Sequence, residues 1–112
     1  MKQTIPTYGD PVLRKKAVKV SEVTPEIREL ADAMLETMHA DQGLGLAAEQ
    51  VGRTEAICVI DVPPDLQGEA FVQLNAPAKM PLVLISPEVS EPEGAMRSKE
   101  GCLSFPDLYM DV

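Results

Sequence analysis

The sequence is poor in the residues that staple a fold or fix it to a compartment. Cysteine occurs twice, at Cys58 and Cys102, and histidine once, at His39. Two cysteines are too few for a disulfide framework, and no C-x-x-C pair accompanies Cys102 to support thiol-redox chemistry. No run approaches the roughly 18 apolar residues of a membrane span. Met1 to Pro6 lacks the apolar segment of a signal peptide, so the expected location is the cytoplasm, with no membrane partner. Basic residues are also scarce: 10 Lys and Arg stand against 18 Asp and Glu, a formal net charge of −8. The densest basic run, Arg14-Lys15-Lys16, reads as a solvated helix face. That balance argues against direct nucleic-acid binding, which needs clustered cations. Internal repeats, low-complexity segments and interdomain linkers are absent as well.

Proline, by contrast, is abundant, with 10 in 112 residues. That number predicts several short elements with defined turns, not a helical bundle. A chain of this length makes one domain and can bury roughly 65% of its unfolded surface. Asp10-Pro11 predicts a capped short helix or turn packing through Val12, Leu13 and Val18. Thr24-Pro25-Glu26 predicts the start of a longer helix, running to about Ala40 and ended by Gly43. Ile27, Leu30, Ala31, Met34, Leu35 and Met38 recur on one face of it. Ala56 to Val62 and Leu82 to Ser86 read as buried strands, closed by Pro63-Pro64 and Pro87. Ala70 to Leu74 reads as a weak strand or loop. Glu88 to Pro92, Ala95 to Lys99 and Leu108 to Val112 read as shorter extended segments. A helix followed by strands predicts an α+β domain in which an N-terminal helix packs on a mostly antiparallel sheet. Because the sequence stops inside an apparent strand at Tyr109 to Val112, the expectation is one domain over residues 1–112, incomplete at its C-terminus.

Two segments can carry chemistry. In Gly43-Leu44-Gly45-Leu46-Ala47-Ala48-Glu49-Gln50-Val51-Gly52, glycines 43 and 45 let the backbone bend and approach another group. Gln50 supplies one side-chain acceptor and two donors. Composition alone favours a Gly-rich turn with Gln50 in solvent. A phosphate loop does not fit, since no Lys-Ser or Lys-Thr follows. In Glu100-Gly101-Cys102-Leu103-Ser104-Phe105-Pro106, Cys102 opens an extended run where a thiolate can ligate a metal or attack an electrophile. The alternative is a small buried hydrophobe. Cys58, between Ile57 and Val59, reads as core.

Taken together and in this order, Gly-Leu-Gly-Leu-Ala-Ala-Glu-Gln and Glu-Gly-Cys-Leu-Ser resemble the first two of three signature motifs of peptide deformylases. Tyr8-Gly9-Asp10-Pro11-Val12-Leu13-Arg14 is similar to that family's opening segment, and Leu35-Glu36-Thr37-Met38 to the end of its first long helix. The resemblance implies hydrolysis of the N-formyl group from the formylmethionine of nascent proteins at the ribosome. It implies a divalent metal, Fe2+ in the cell with Zn2+ or Ni2+ as alternatives. Cys102 would be one ligand. Gln50 and the backbone N–H of Leu103 would stabilise the oxyanion, and Gly43 and Gly45 would face the N-formylmethionyl peptide. Two departures stand out. Glu49 replaces the family's usual proline. The third motif, H-E-x-D-H, which carries two histidine ligands and the acid–base glutamate, has no counterpart. His39 lies outside such a pattern and reads as a helix-surface residue. The expectation is therefore a deformylase fragment inactive alone, with self-association through uncovered apolar surface. The alternative is a non-catalytic deformylase-like peptide-binding module.

Overall fold

The computed structural model describes residues 2–68 and 78–112; the segment Ala70 to Leu74 lies outside them. Helix α1 spans Pro25–Ala40. Strands β1 (Gly45–Ala47), β2 (Ile57–Ile60) and β3 (Leu82–Ile85) form one antiparallel sheet in that order. Strands β4 (Lys99–Cys102) and β5 (Phe105–Asp111) form a separate antiparallel hairpin. The α+β expectation, with a helix packed on an antiparallel sheet, describes this arrangement.

Helix α1 begins where its sequence says it should. The Thr24 hydroxyl accepts the Ile27 N–H at 3.3 Å, Pro25 occupies the first turn, and Glu26 lies at the positive end of the helix dipole. It ends at Ala40, as expected, and its cap is built just before Gly43. The left-handed residue is Gln42 (φ 58), not Gly43. The Gly43 N–H bonds the Met38 carbonyl at 2.9 Å and the Gln42 N–H bonds the His39 carbonyl at 3.2 Å, the paired bonds of a Schellman cap. Gly43 thus caps through its backbone N–H alone, and its missing side chain serves packing.

The apolar stripe of α1 meets the sheet. Leu30, Met34 and Met38 are buried with Leu46, Ala48, Val51, Ile57 and Val59, and Ile27, Leu35 and Ile85 pack at the margin. Register explains the sheet's share of this core. Leu46 pairs with Val59, and Ile57 pairs with Ile85 at the far end of β2. Strand β2 alternates buried and half-buried positions, so Ile57 and Val59 face α1 while Cys58 and Ile60 point to the opposite, partly open face. The continuous burial expected for Ala56 to Val62, and a core position for Cys58, give way to this one-sided pattern. Strand β3 is likewise half-buried rather than buried, with Val83 40% exposed, because it forms one side of the three-stranded sheet.

Several short expectations are corrected. Residues 11–14 form a 3-10 turn capped by Asp10, whose carboxylate accepts the Val12 N–H at 3.0 Å. Val12 and Leu13 are half-buried, but Val18 is exposed, since it lies beyond the turn in an extended segment bridged to Glu55. Arg14, Lys15 and Lys16 are solvated as expected, yet only Arg14 is helical. Glu88 to Pro92 forms no strand; Glu91 takes a left-handed φ of 46°. Of Ala95 to Lys99, only the end is paired, where Ser98 exchanges backbone hydrogen bonds with Val112 beside β4. Strand β5 begins at Phe105, earlier than the expected Leu108.

The N-terminal segment is fastened to the helix side. The Gln3 N–H donates to the Thr37 hydroxyl at 2.8 Å, and that hydroxyl donates to the Ala33 carbonyl at 2.8 Å, so the fully buried Thr37 is satisfied twice. Met34 makes the clearest test of the core. Met34→Ala should destabilise the chain by about 2–5 kcal/mol in urea denaturation, whereas Val89→Ala, at a side chain 90% exposed, should fall within about 0.5 kcal/mol of the parent.

Candidate functional site

Strand β1 runs straight into a 3-10 turn, Ala48–Val51, and that junction aims Gln50. The Gln50 Oε1 accepts the Ala47 N–H at 3.0 Å. A backbone N–H can only donate, so this contact fixes which end of the amide is oxygen and which is nitrogen. The Nε2 end then lies 3.6 Å from the Cys102 Sγ and 3.4 Å from the Ser104 Oγ. Two segments separated by 52 positions meet at one side chain.

Cys102 is exposed at the end of β4, at a register shift between Gly101 and Cys102. The turn that follows reaches back to the body of the fold. Leu103 is half-buried against the main core, and its Cδ1 would lie 2.7 Å from a Cβ built on Gly43. Ser104 is 3% exposed, and its carbonyl accepts the Tyr8 N–H at 2.9 Å. The rings of Tyr8 and Phe105 stack at 4.7 Å between centroids. An open cleft of about 970 Å³ results, lined by Gly43, Gly45, Gln50, Cys102 and Leu103, with residues of the Lys2–Thr7 segment as its other wall. All five residues singled out from the sequence therefore face one space. The solvent-exposed alternative for Gln50 and the buried alternative for Cys102 do not hold.

The two glycines differ in kind. Gly43 is required by packing, because a side chain there would collide with Leu103 and crowd Met38. A Cβ on Gly45 would meet only the Val59 carbonyl at an ordinary 3.6 Å. Ser104 escaped the sequence reading. The available signal was a small hydroxyl residue next to a turn in an otherwise apolar stretch, and nothing local marked it as buried.

The described residues do not form a complete metal site. Cys102 Sγ is accessible from the cleft, but among the described residues no three His, Cys, Asp or Glu side chains cluster. His39 is on the exposed surface of α1, with its Nε2 2.8 Å from the Asp61 Oδ2, and it does not line the cleft. Glu49, on the turn beside Gln50, has one carboxylate oxygen excluded from solvent with no hydrogen-bond partner among the described residues. Burial pushes the Cys58 thiol above its ordinary value of 9.0, and the Glu49 carboxylate pushes it further.

These environments separate the two thiols. Iodoacetamide at pH 8 should label exposed Cys102 first and half-buried Cys58 much more slowly, as read by peptide mass spectrometry, and Glu49→Gln should speed labelling at Cys58 alone. The linkage has a definite sign. The folded chain holds the Cys58 proton after the unfolded chain has lost it, so the stability this contributes is complete below about pH 9 and is lost as pH rises through the raised folded value. The urea midpoint should accordingly fall more between pH 8 and pH 10 in the parent than in Cys58→Ala.

Comparisons with known proteins identify the family. The family model described as polypeptide deformylase matches residues 2–112. A peptide deformylase of Endomicrobium trichonymphae is 47% identical over 111 residues, 99% of this chain and 59% of that protein. One from Alkalilimnicola ehrlichii is 47% identical over 94% of this chain and 53% of its own length. Among solved structures, peptide deformylase from Ehrlichia chaffeensis superimposes with a TM-score of 0.86 at 35% identity, covering 100% of this chain and 63% of that one. The same organism's enzyme in complex with actinonin gives 0.85 at 37% identity, covering 99% and 62%. The chain thus spans between half and two thirds of the length of these relatives, and it belongs to the polypeptide deformylase family.

Proposed function

We propose that this chain supplies the oxyanion-binding side and one metal ligand of a peptide deformylase, which hydrolyses the N-formyl group from formylmethionine at the start of nascent proteins. The observation that carries the reading is the Gln50 amide, held with its N–H end toward Cys102 at 3.6 Å, inside a cleft that also exposes Gly45. Attack on a formyl amide moves negative charge onto the carbonyl oxygen. The Nε2–H of Gln50 and the backbone N–H of Leu103 are the donors for that charge, and they are preorganised by contacts made before substrate arrives. Gly45, whose missing side chain is not demanded by packing, leaves bare backbone for the peptide.

Cys102 is the thiolate donor for the divalent metal, with Fe2+ the proposed ion and Zn2+ or Ni2+ the alternatives. When bound, such an ion lowers the pKa of a coordinated water and so provides the nucleophile. A catalytic ion of this kind takes about three protein ligands, and among the described residues no three His, Cys, Asp or Glu side chains cluster to supply them. The remaining ligands and a proton donor for the leaving amine must be contributed by residues beyond this set, as the family's H-E-x-D-H motif would do. The proposed partners are N-formylmethionyl peptides and nascent chains at the ribosome, in the cytoplasm. No helix among the described residues is long and apolar enough to cross a membrane.

The test compares the 112-residue chain with a fusion in which Val112 is followed by the C-terminal remainder of the Endomicrobium trichonymphae relative. The chain alone should bind Fe2+ or Ni2+ weakly and leave a formyl-methionyl peptide intact. The fusion should deformylate it. In the fusion, Gln50→Ala should lower kcat by about 10²–10³ and Cys102→Ala should abolish metal retention. Deformylation by the chain alone at the fusion's rate, or a folded, metal-loaded fusion indifferent to Gln50→Ala, would overturn the assignment.

A further inference from the structure

Among the described residues only Thr37 and Ser104 are buried polar side chains. Thr37 is explained by its two hydrogen bonds at the N-terminal segment. For Ser104 the side-chain partner is Gln50, with Oγ 3.4 Å from Nε2. A buried hydroxyl carries a desolvation penalty that alanine, nearly the same size, would not. Its presence at this position therefore needs a reason, and its location supplies one.

The Gln50 amide has one acceptor and two donor protons. The acceptor is occupied by the Ala47 N–H. That single bond leaves the amide plane free to tilt about it. A second anchor is required to fix where the two protons point, and the Ser104 Oγ lies within reach of one of them. The other then points toward the Cys102 side of the cleft, where the Sγ lies at 3.6 Å. Both contacts are long, so the amide is oriented without being strongly satisfied, and a slight rotation can retarget the free proton to a stronger acceptor. Ser104 is itself held through its backbone, whose carbonyl accepts the Tyr8 N–H at 2.9 Å.

We propose that Ser104 is a positioning residue. Its buried hydroxyl holds one Nε2 proton of Gln50 and so presents the other to the reacting centre. The consequence for catalysis rests on the oxyanion role proposed for Gln50; the positioning itself does not, and it is measurable in the chain as it stands.

The experiment reads the side-chain amide protons of Gln50 by 15N-resolved NMR in the 112-residue chain, with exposed Gln42 as internal reference. In the parent, exchange with solvent at the half-buried Gln50 amide, with one donor proton engaged, should be at least about fivefold slower than at Gln42. Ser104→Ala should bring the two within about twofold and shift the Gln50 amide signals, and Ser104→Thr, which keeps the hydroxyl, should restore the protection. Backbone amides of Met34 and Val59 report whether each variant remains folded. Equal exchange at Gln50 and Gln42 in the parent would refute the positioning without any variant. So would a folded Ser104→Ala chain with unchanged Gln50 signals. If the protection depends on Ser104 while Gln50→Ala leaves the fusion fully active, the positioning stands and the oxyanion reading falls.

Discussion

Everything at the site depends on one joint, the Leu103–Ser104 turn between β4 and β5. The hairpin that carries Cys102 has no interior: each residue of β4 and β5 is exposed. Two short strands without a covered face are not stable in isolation, so the hairpin takes its position from what its turn inserts into the body. Leu103 reaches the core cluster beside Met38, and the space for it exists because residue 43 has no side chain. Ser104 adds two polar contacts on either side, to Tyr8 and to Gln50. The half-buried Leu103 side chain and the two hydrogen bonds, each worth about 1 kcal/mol, hold the turn on a comparable scale. The hydrogen bonds contribute direction, which an apolar contact does not.

This joint links the two ends of the argument from sequence to site. The cap at Thr24 and the stripe of α1 fix the helix on β1 and β2. The Schellman cap returns the chain so that Gly43 sits at the end of the helix, next to Met38. Two residues later β1 begins its pairing with β2, and the turn after it delivers Gln50. Met38, Gly43 and Leu103 are thus packed side by side, one residue from Cys102 in sequence.

How much of this was legible follows from range. Helix α1 was readable because cap, first-turn proline and apolar period are all local and agree. Strand β1 was not: Gly45-Leu46-Ala47 has no β-branched residue, and it is a strand only because Cys58 and Val59, many positions away, pair with it. Cys58 was misjudged because an apolar run does not reveal whether one or both faces of a sheet are covered. The partly open face behind β2 is a tertiary fact. The meeting of Gln50 and Cys102 could be expected only through the two motifs together, and the burial of Ser104 could not be expected at all, because it depends on where the hairpin docks.

The identity of residue 50 follows from the same geometry. The position must accept from the Ala47 N–H and donate toward Cys102 at once. Glutamate would keep the first contact and lose the second, and when ionised it would set a negative charge against a thiolate and a developing oxyanion. Lysine would donate but could not accept, and its amide-free end would not be oriented by the backbone. Asparagine has both groups on a side chain one methylene shorter, so fixing its oxygen at Ala47 would draw its nitrogen away from the Sγ. Glutamine is the side chain that is neutral, carries both polarities in a rigid plane, and has the reach to use one for its own alignment while leaving the other for chemistry. The cleft thus takes its electrostatic character from an aligned neutral dipole, and that dipole depends on a buried hydroxyl and a backbone N–H for its aim.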